Sequence, residues 1–155
     1  MNPRWSLSLR AAAFGSSIAC EGSQLAMVIG LLGAIVPEVR WYASDVVAQG
    51  GISVWERSPQ PTLVGDTSSI VVKLSSVVQF ESGVFSGVPA GIAAPVFREG
   101  GAWTEDEEMA ELGDAIVEVR AFDTSYISVD GVDLELRDTF RGRFFARTTQ
   151  GGPTV

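Results

Sequence analysis

The chain contains no histidine and a single cysteine, Cys20. The first absence removes the Ser-His-Asp triad, the Cys-His dyad and any imidazole zinc site. The second removes an intrachain disulfide and a four-cysteine metal cluster, and it gives no support to an oxidising compartment. Lysine is nearly missing as well: Lys73 stands against ten arginines. Acids outnumber bases 19 to 11, for a net charge of −8. Nucleic-acid binding needs clustered Lys and Arg against phosphate, so it is not expected. Phosphate-loop and dinucleotide fingerprints are missing too. Gly83-Val84-Phe85-Ser86-Gly87 carries its serine one place late for a nucleophile elbow. No metal ligand set and no cofactor is expected.

Long apolar runs are also scarce. Leu25 to Val36 has twelve apolar or glycine residues, well short of the ~20 that a bilayer span needs. It reads as a buried helix, and no membrane partner is expected. The segment ending at Cys20 has Arg4 and Arg10 ahead of an apolar stretch, which is similar to an export signal. Gly15, Ser16 and Ser17 interrupt that stretch, so a cytoplasmic protein is expected.

What is there suits one folded domain: 155 residues, 46% of them hydrophobic. Its span is set at residues 1–147. Residues 148–155, polar and glycine-rich, are expected to form a disordered tail. Trp5, Leu7 and Leu9 alternate with polar residues and predict a first strand. Ser23 ahead of Leu25 to Val36, with Pro37 behind, frames the first helix. That helix is apolar on nearly every side, so it is either covered on two faces or part of a homodimer contact. Val39, Trp41 and Ala43 predict a second strand. Ile52 and Val54 predict a third, paired with it as a hairpin. Asp66 or Thr67 caps a second helix, whose stripe is Ile70, Val71, Leu74, Val77 and Val78. Gly83 to Pro89 reads as the fourth strand. This β-α-β-β-α-β order is that of the ferredoxin-like arrangement.

Beyond it, Trp103-Thr104 opens a short acidic helix that Gly113 ends. Ile116 to Ala121 and Ser125 to Val129 are strands. Asp130-Gly131 is a strong hairpin signal, although Val132, Leu136 and Phe140 also fall at helical spacing. Leu134 fits the strand and tips the reading to a C-terminal β extension. The expected class is α+β: a mainly antiparallel sheet, two principal helices on one face, and that extension.

The charge is unevenly placed. Residues 1–98 hold six acids and six bases, residues 99–138 hold thirteen acids against Arg120 and Arg137, and residues 139–155 hold three arginines. The middle segment therefore carries −11. Such a surface steers and holds a basic partner, and Glu105, Glu107 and Glu108 are its candidate contacts. The bland alternative is a solvated helix and loop with ordinary solubility charge. The run Thr104 to Glu108 could hold a divalent cation, but Thr104 with Glu107 is a capping box, which explains the spacing without a metal. Asp130, Asp133 and Asp138 do not match calcium-loop spacing. Trp41, Tyr42 and Asp45 at one strand end, with Asp123 and Tyr126 between two others, are candidates for a pocket or interface. Asp45 and Asp123 are the only pair to nominate for carboxylate acid–base chemistry. Three classes remain, in this order: a non-catalytic protein-binding module of inhibitor or immunity type that covers a basic protein; a small-molecule-binding or regulatory domain; and a carboxylate-only enzyme.

Overall fold

The computed structural model describes residues 2–50 and 57–150. Its strands are β1 Trp5–Arg10, β2 Val39–Gln49, β3 Thr62–Asp66, β4 Gln79–Pro89, β5 Val117–Phe122 and β6 Tyr126–Gly131. Its helices are α1 Gly22–Ile35, α2 Thr67–Ser75 and α3 Leu134–Gln150. One six-stranded sheet runs in the order β1-β6-β5-β4-β2-β3, and every adjacent pair is antiparallel. The class is α+β, as the patterns predict. The strand expected at Ile52 and Val54, with its hairpin, lies outside the described residues.

Helix starts follow capping chemistry. Asp66 caps α2, its Oδ1 accepting from the Ser69 amide at 2.9 Å. That bond holds the Asp66 carboxyl below the usual aspartate range. α1 begins one turn earlier than Leu25. Glu21 is its cap, in a reciprocal capping box with Gln24. Its all-round apolarity has a simple cause: α1 packs between α2 and α3 as well as on the sheet. Gly33 of α1 makes room for Thr67, whose side chain would lie 2.2 Å from an added Cβ.

Two expectations about topology are corrected. β3–α2–β4 is a split βαβ unit around β2, but β1 sits at the far edge beside β6, so the ferredoxin-like strand order is not formed. Trp5 fixes this placement. It packs on Gly131, where a Cβ would lie 2.3 Å from the indole, and its Nε1 donates to the Asp133 carbonyl at 2.7 Å. The second correction is the C-terminus. Asp130-Gly131 ends β6 instead of turning a hairpin, and the expected β extension is α3. Asp133 Oδ1 accepts from the Glu135 amide at 2.8 Å to start it. Leu136, Phe140 and Phe144 then form a buried i, i+4, i+8 stripe, while Leu134, which favoured a strand, is only half-buried. Residues 148–150 of the expected tail belong to α3, and 151–155 lie outside the described residues.

The core fills one sheet face. Trp41, Phe85, Val119, Ile127 and Val129 meet Leu25, Ile29 and Leu32 of α1, Ile70 and Leu74 of α2, and Phe140 and Phe144 of α3. Cys20 is buried there, its Sγ donating to the Tyr126 carbonyl at 3.2 Å. Desolvation pushes its thiol pKa up to about 11, so it is an unreactive core thiol. Phe140→Ala should cost about 3–5 kcal/mol through the cavity it leaves. Val72→Ala, at a position 71% exposed on α2, should stay within about 0.5 kcal/mol. Urea unfolding midpoints check both, and an undocked α3 would make the first as harmless as the second.

Candidate functional site

The sheet face opposite the helices is polar, and its residues stand in three cross-strand rows. The first is Ser6, Asp130, Glu118, Ser86 and Tyr42; the second is Ser8, Ser128, Arg120, Val84 and Ser44; the third is Arg10, Tyr126, Phe122 and Ser82. The alternation that buries one face against helices thus delivers charges to the other. Between Pro89 and Val117 a long loop folds back over this face. Its apolar residues Ile92, Phe97, Leu112 and Ala115 pack on Tyr42 and Val88, with Phe97 edge-on to Tyr42 at 5.2 Å.

Charge locks the loop down. Arg98 from the loop makes a bidentate bond to Glu118, at 2.7 and 3.1 Å, and its Nε donates to Asp106 at 2.7 Å. Arg120 from the sheet reaches the other way. Its Nη1 donates to the carbonyls of Thr104 and Asp106 at 3.0 and 2.7 Å. Glu118, Arg120 and Asp130 are all buried. Burial raises the Glu118 pKa; the bonds from Arg98 oppose that rise and do not cancel it. For Arg98, burial works in the opposite sense, but Glu118 and Asp106 outweigh it and hold the guanidinium firmly charged.

A bulge in β2 supplies the third anchor. Asp45 and Val46 together oppose the single residue Gly83, and Asp45 takes a left-handed φ of 50°. The Thr104 hydroxyl accepts from the Gly83 amide at 3.0 Å, and Asp45 Oδ2 accepts from the Thr104 amide at 3.0 Å. Residues 103–113 are turns, not the acidic helix expected there, and the Thr104–Glu107 capping box does not form. Thr104 is spent on the sheet instead.

Toward β1 the loop stops short of the sheet edge, although Ser128 and Asp130 of β6 are themselves buried. A cleft of about 110 Å³ opens there, lined by Ser6, Ser8, Asp106, Glu108, Arg120, Phe122, Tyr126 and Ser128. The structure thus divides the eight candidate residues. Glu105, Glu107 and Glu108 are exposed on the loop, and Glu108 also borders the cleft. Tyr126 forms a cleft wall, stacked on Phe122 at 5.0 Å. Trp41 does not join them: it is a core residue whose Nε1 donates to Thr67. Tyr42 is buried beneath the loop. Asp45 is buried and committed to Thr104, whereas Asp123 is exposed in the β5–β6 turn, where Asp123 and Thr124 both have positive φ. Neither of these two acids lines the cleft, so the geometry gives no support to pairing them catalytically.

Sequence reasoning missed Arg98, Glu118, Arg120 and Asp130. The signal available was Glu118 and Arg120 at alternate positions of an otherwise apolar strand, since a charge there faces either water or a partner. Among the described residues no three His, Cys, Asp or Glu side chains are grouped to hold a metal ion, and no helix is long and apolar enough to cross a membrane. The chain matches no family model, no curated protein and no solved structure.

Arg98→Met should strand Glu118 as a buried charge and cost about 3–5 kcal/mol. Adding Glu118→Gln should recover part of that loss. Without Arg98 the pKa of Glu118 rises further, and an acid with a raised pKa loses stability as pH climbs from the ordinary glutamate range through the raised value. The Arg98→Met penalty should therefore be larger at about pH 8 than at about pH 5. Denaturant unfolding of the two single variants and the double variant at both pH values measures this, and a pH-independent penalty would contradict it.

Proposed function

We propose that this chain is a non-catalytic protein-binding module of inhibitor or immunity type, and that a basic partner protein docks on the acidic loop. The observation that carries this reading is the mixed character of the loop's outer surface. Trp103 and Met109, 39% and 38% exposed, stand among the exposed acids Glu105, Glu107 and Glu108. An exposed tryptophan beside concentrated charge is the composition of an interface anchor, with charge for steering and an aromatic for contact energy. The loop's backbone is already fixed by Arg120, Arg98 and Asp45, so little ordering cost remains on binding. A cytoplasmic setting fits its one buried thiol.

The second reading, a small-molecule-binding domain, is favoured by the cleft beside Tyr126. An enzyme working by carboxylates alone has no such support.

Affinity capture from the native host supplies the partner for the test. Reversing Glu105, Glu107 and Glu108 to lysine should then lower the association rate on the order of tenfold or more at low salt, and flatten its salt dependence. Trp103→Ala should instead speed dissociation, for a loss of about 2 kcal/mol. Stopped-flow rates at two ionic strengths separate the two effects. Binding that is salt-independent and indifferent to the reversal would sink the electrostatic reading.

A further inference from the structure

We propose that the C-terminal half of α3 on one copy of this chain docks on the acidic loop of a second copy. This rests on the reading of the loop as a docking surface for a basic protein, and it names the chain itself as such a protein.

The basic surface is built by α3. From Phe140 to Gln150 the helix carries Arg141, Arg143 and Arg147 and no acid. Residues four apart share a helix face, so Arg141 stands beside Phe145 and Arg143 beside Arg147. Phe140 and Phe144 turn inward to the core, which leaves Phe145 45% exposed and Arg141 and Arg143 in solvent. Arg147 lies 5.6 Å over the Phe144 ring. Among the described residues neither Arg141 nor Arg143 forms an ion pair.

The loop between β4 and β5 has the opposite sign and the same build. Glu99, Glu105, Glu107 and Glu108 are exposed on it. Its one base, Arg98, is spent on Glu118 and Asp106. Trp103 and Met109 are exposed among the acids. Each surface therefore sets charge of one sign beside exposed apolar side chains. Guanidinium groups suit this counterpart twice over, since they pair with carboxylates and stack on an indole face.

The fold keeps the two surfaces apart within one molecule. The loop covers one face of the sheet, and α3 packs on the other through Phe140 and Phe144. One copy cannot bring them together, whereas two copies can. The contact is heterologous, so each bound copy still offers a free surface and copies add head to tail. Each copy also carries −8, which repels at long range. At ~0.15 M salt the Debye length is ~8 Å, so that repulsion is screened while facing charges still attract. The association is therefore weak and depends on concentration and salt.

Sedimentation velocity of the full chain over a concentration series, at about 0.15 M and about 1 M salt, tests this. The average sedimentation coefficient should climb with concentration at the lower salt and hold the monomer value at the higher. Arg141→Gln with Arg143→Gln should weaken the association roughly tenfold or more, and so should Glu105→Gln with Glu107→Gln and Glu108→Gln. All five positions are exposed. Mixed in equal amounts, the two variants keep one intact pair of surfaces between them. They should form 1:1 pairs that grow no further, a recovery that misfolded variants would not show. Growth that survives either set of substitutions, or mixed variants that stay apart, would overturn the head-to-tail contact. A wild-type chain that stays monomeric, while its native partner still binds through Glu105, Glu107 and Glu108, would overturn self-docking and leave the acidic-loop reading standing. A monomeric chain whose partner is indifferent to those three acids would overturn both.

Discussion

Two arginines pointing in opposite directions organise the polar half of this protein. Arg98 leaves the loop to grip a carboxylate on the sheet, and Arg120 leaves the sheet to grip carbonyls on the loop. The two contacts pin the loop to the sheet from both sides. A buried ion pair gains little net stability once desolvation is counted, but breaking one leaves a bare charge in the interior. The pairing therefore acts less as glue than as a register mark. The loop has one position in which Arg98 meets Glu118 and Arg120 meets the loop carbonyls, and the cleft and the exposed acids both inherit their positions from it.

The same view changes the meaning of the acidic segment. As a string of residues it carries a single large negative charge. Folded, it separates into parts with different physics. Glu118 and Asp130 are withdrawn from solvent and spent on arginines and serines. Asp133 and Glu135 sit at the start of α3, where carboxylates complement the helix dipole. Glu105, Glu107 and Glu108 of the loop remain exposed around Trp103, while Asp123 and Asp138 are exposed elsewhere on the surface.

The elements most legible in the sequence were those governed by local rules. Alternation marked β1, β2, β5 and β6, and the Asp66 cap with its apolar stripe marked α2. β3 was missed because its five residues show no clean alternation, consistent with an edge strand exposed on most sides. The C-terminal helix was misread because Asp-Gly is a strong local hairpin signal. Here Gly131 answers a distant demand, the bulk of Trp5. The acidic helix failed for the same reason: Thr104 finds better partners on the sheet than in its own turn. Of the candidate residues, Glu108 and Tyr126 reach the cleft, because exposure and strand phase are local properties. The buried charge cluster was out of reach, because it joins a loop to three strands through register that only the assembled sheet defines.

That register has a consequence for how the molecule comes into being. β1 and β6 are neighbours in the sheet, yet the Ser6–Asp130 bond that joins them spans 124 residues of chain. Closing so long a segment carries a large entropic cost before any contact repays it. β2, β4 and their helices can form from nearby pieces, but β1 waits for nearly all the rest. Until then its Trp5 and Leu9 have nothing to cover them. β1 takes its sheet partner from far along the chain, so without β6 in place it is an open edge for wrong partners.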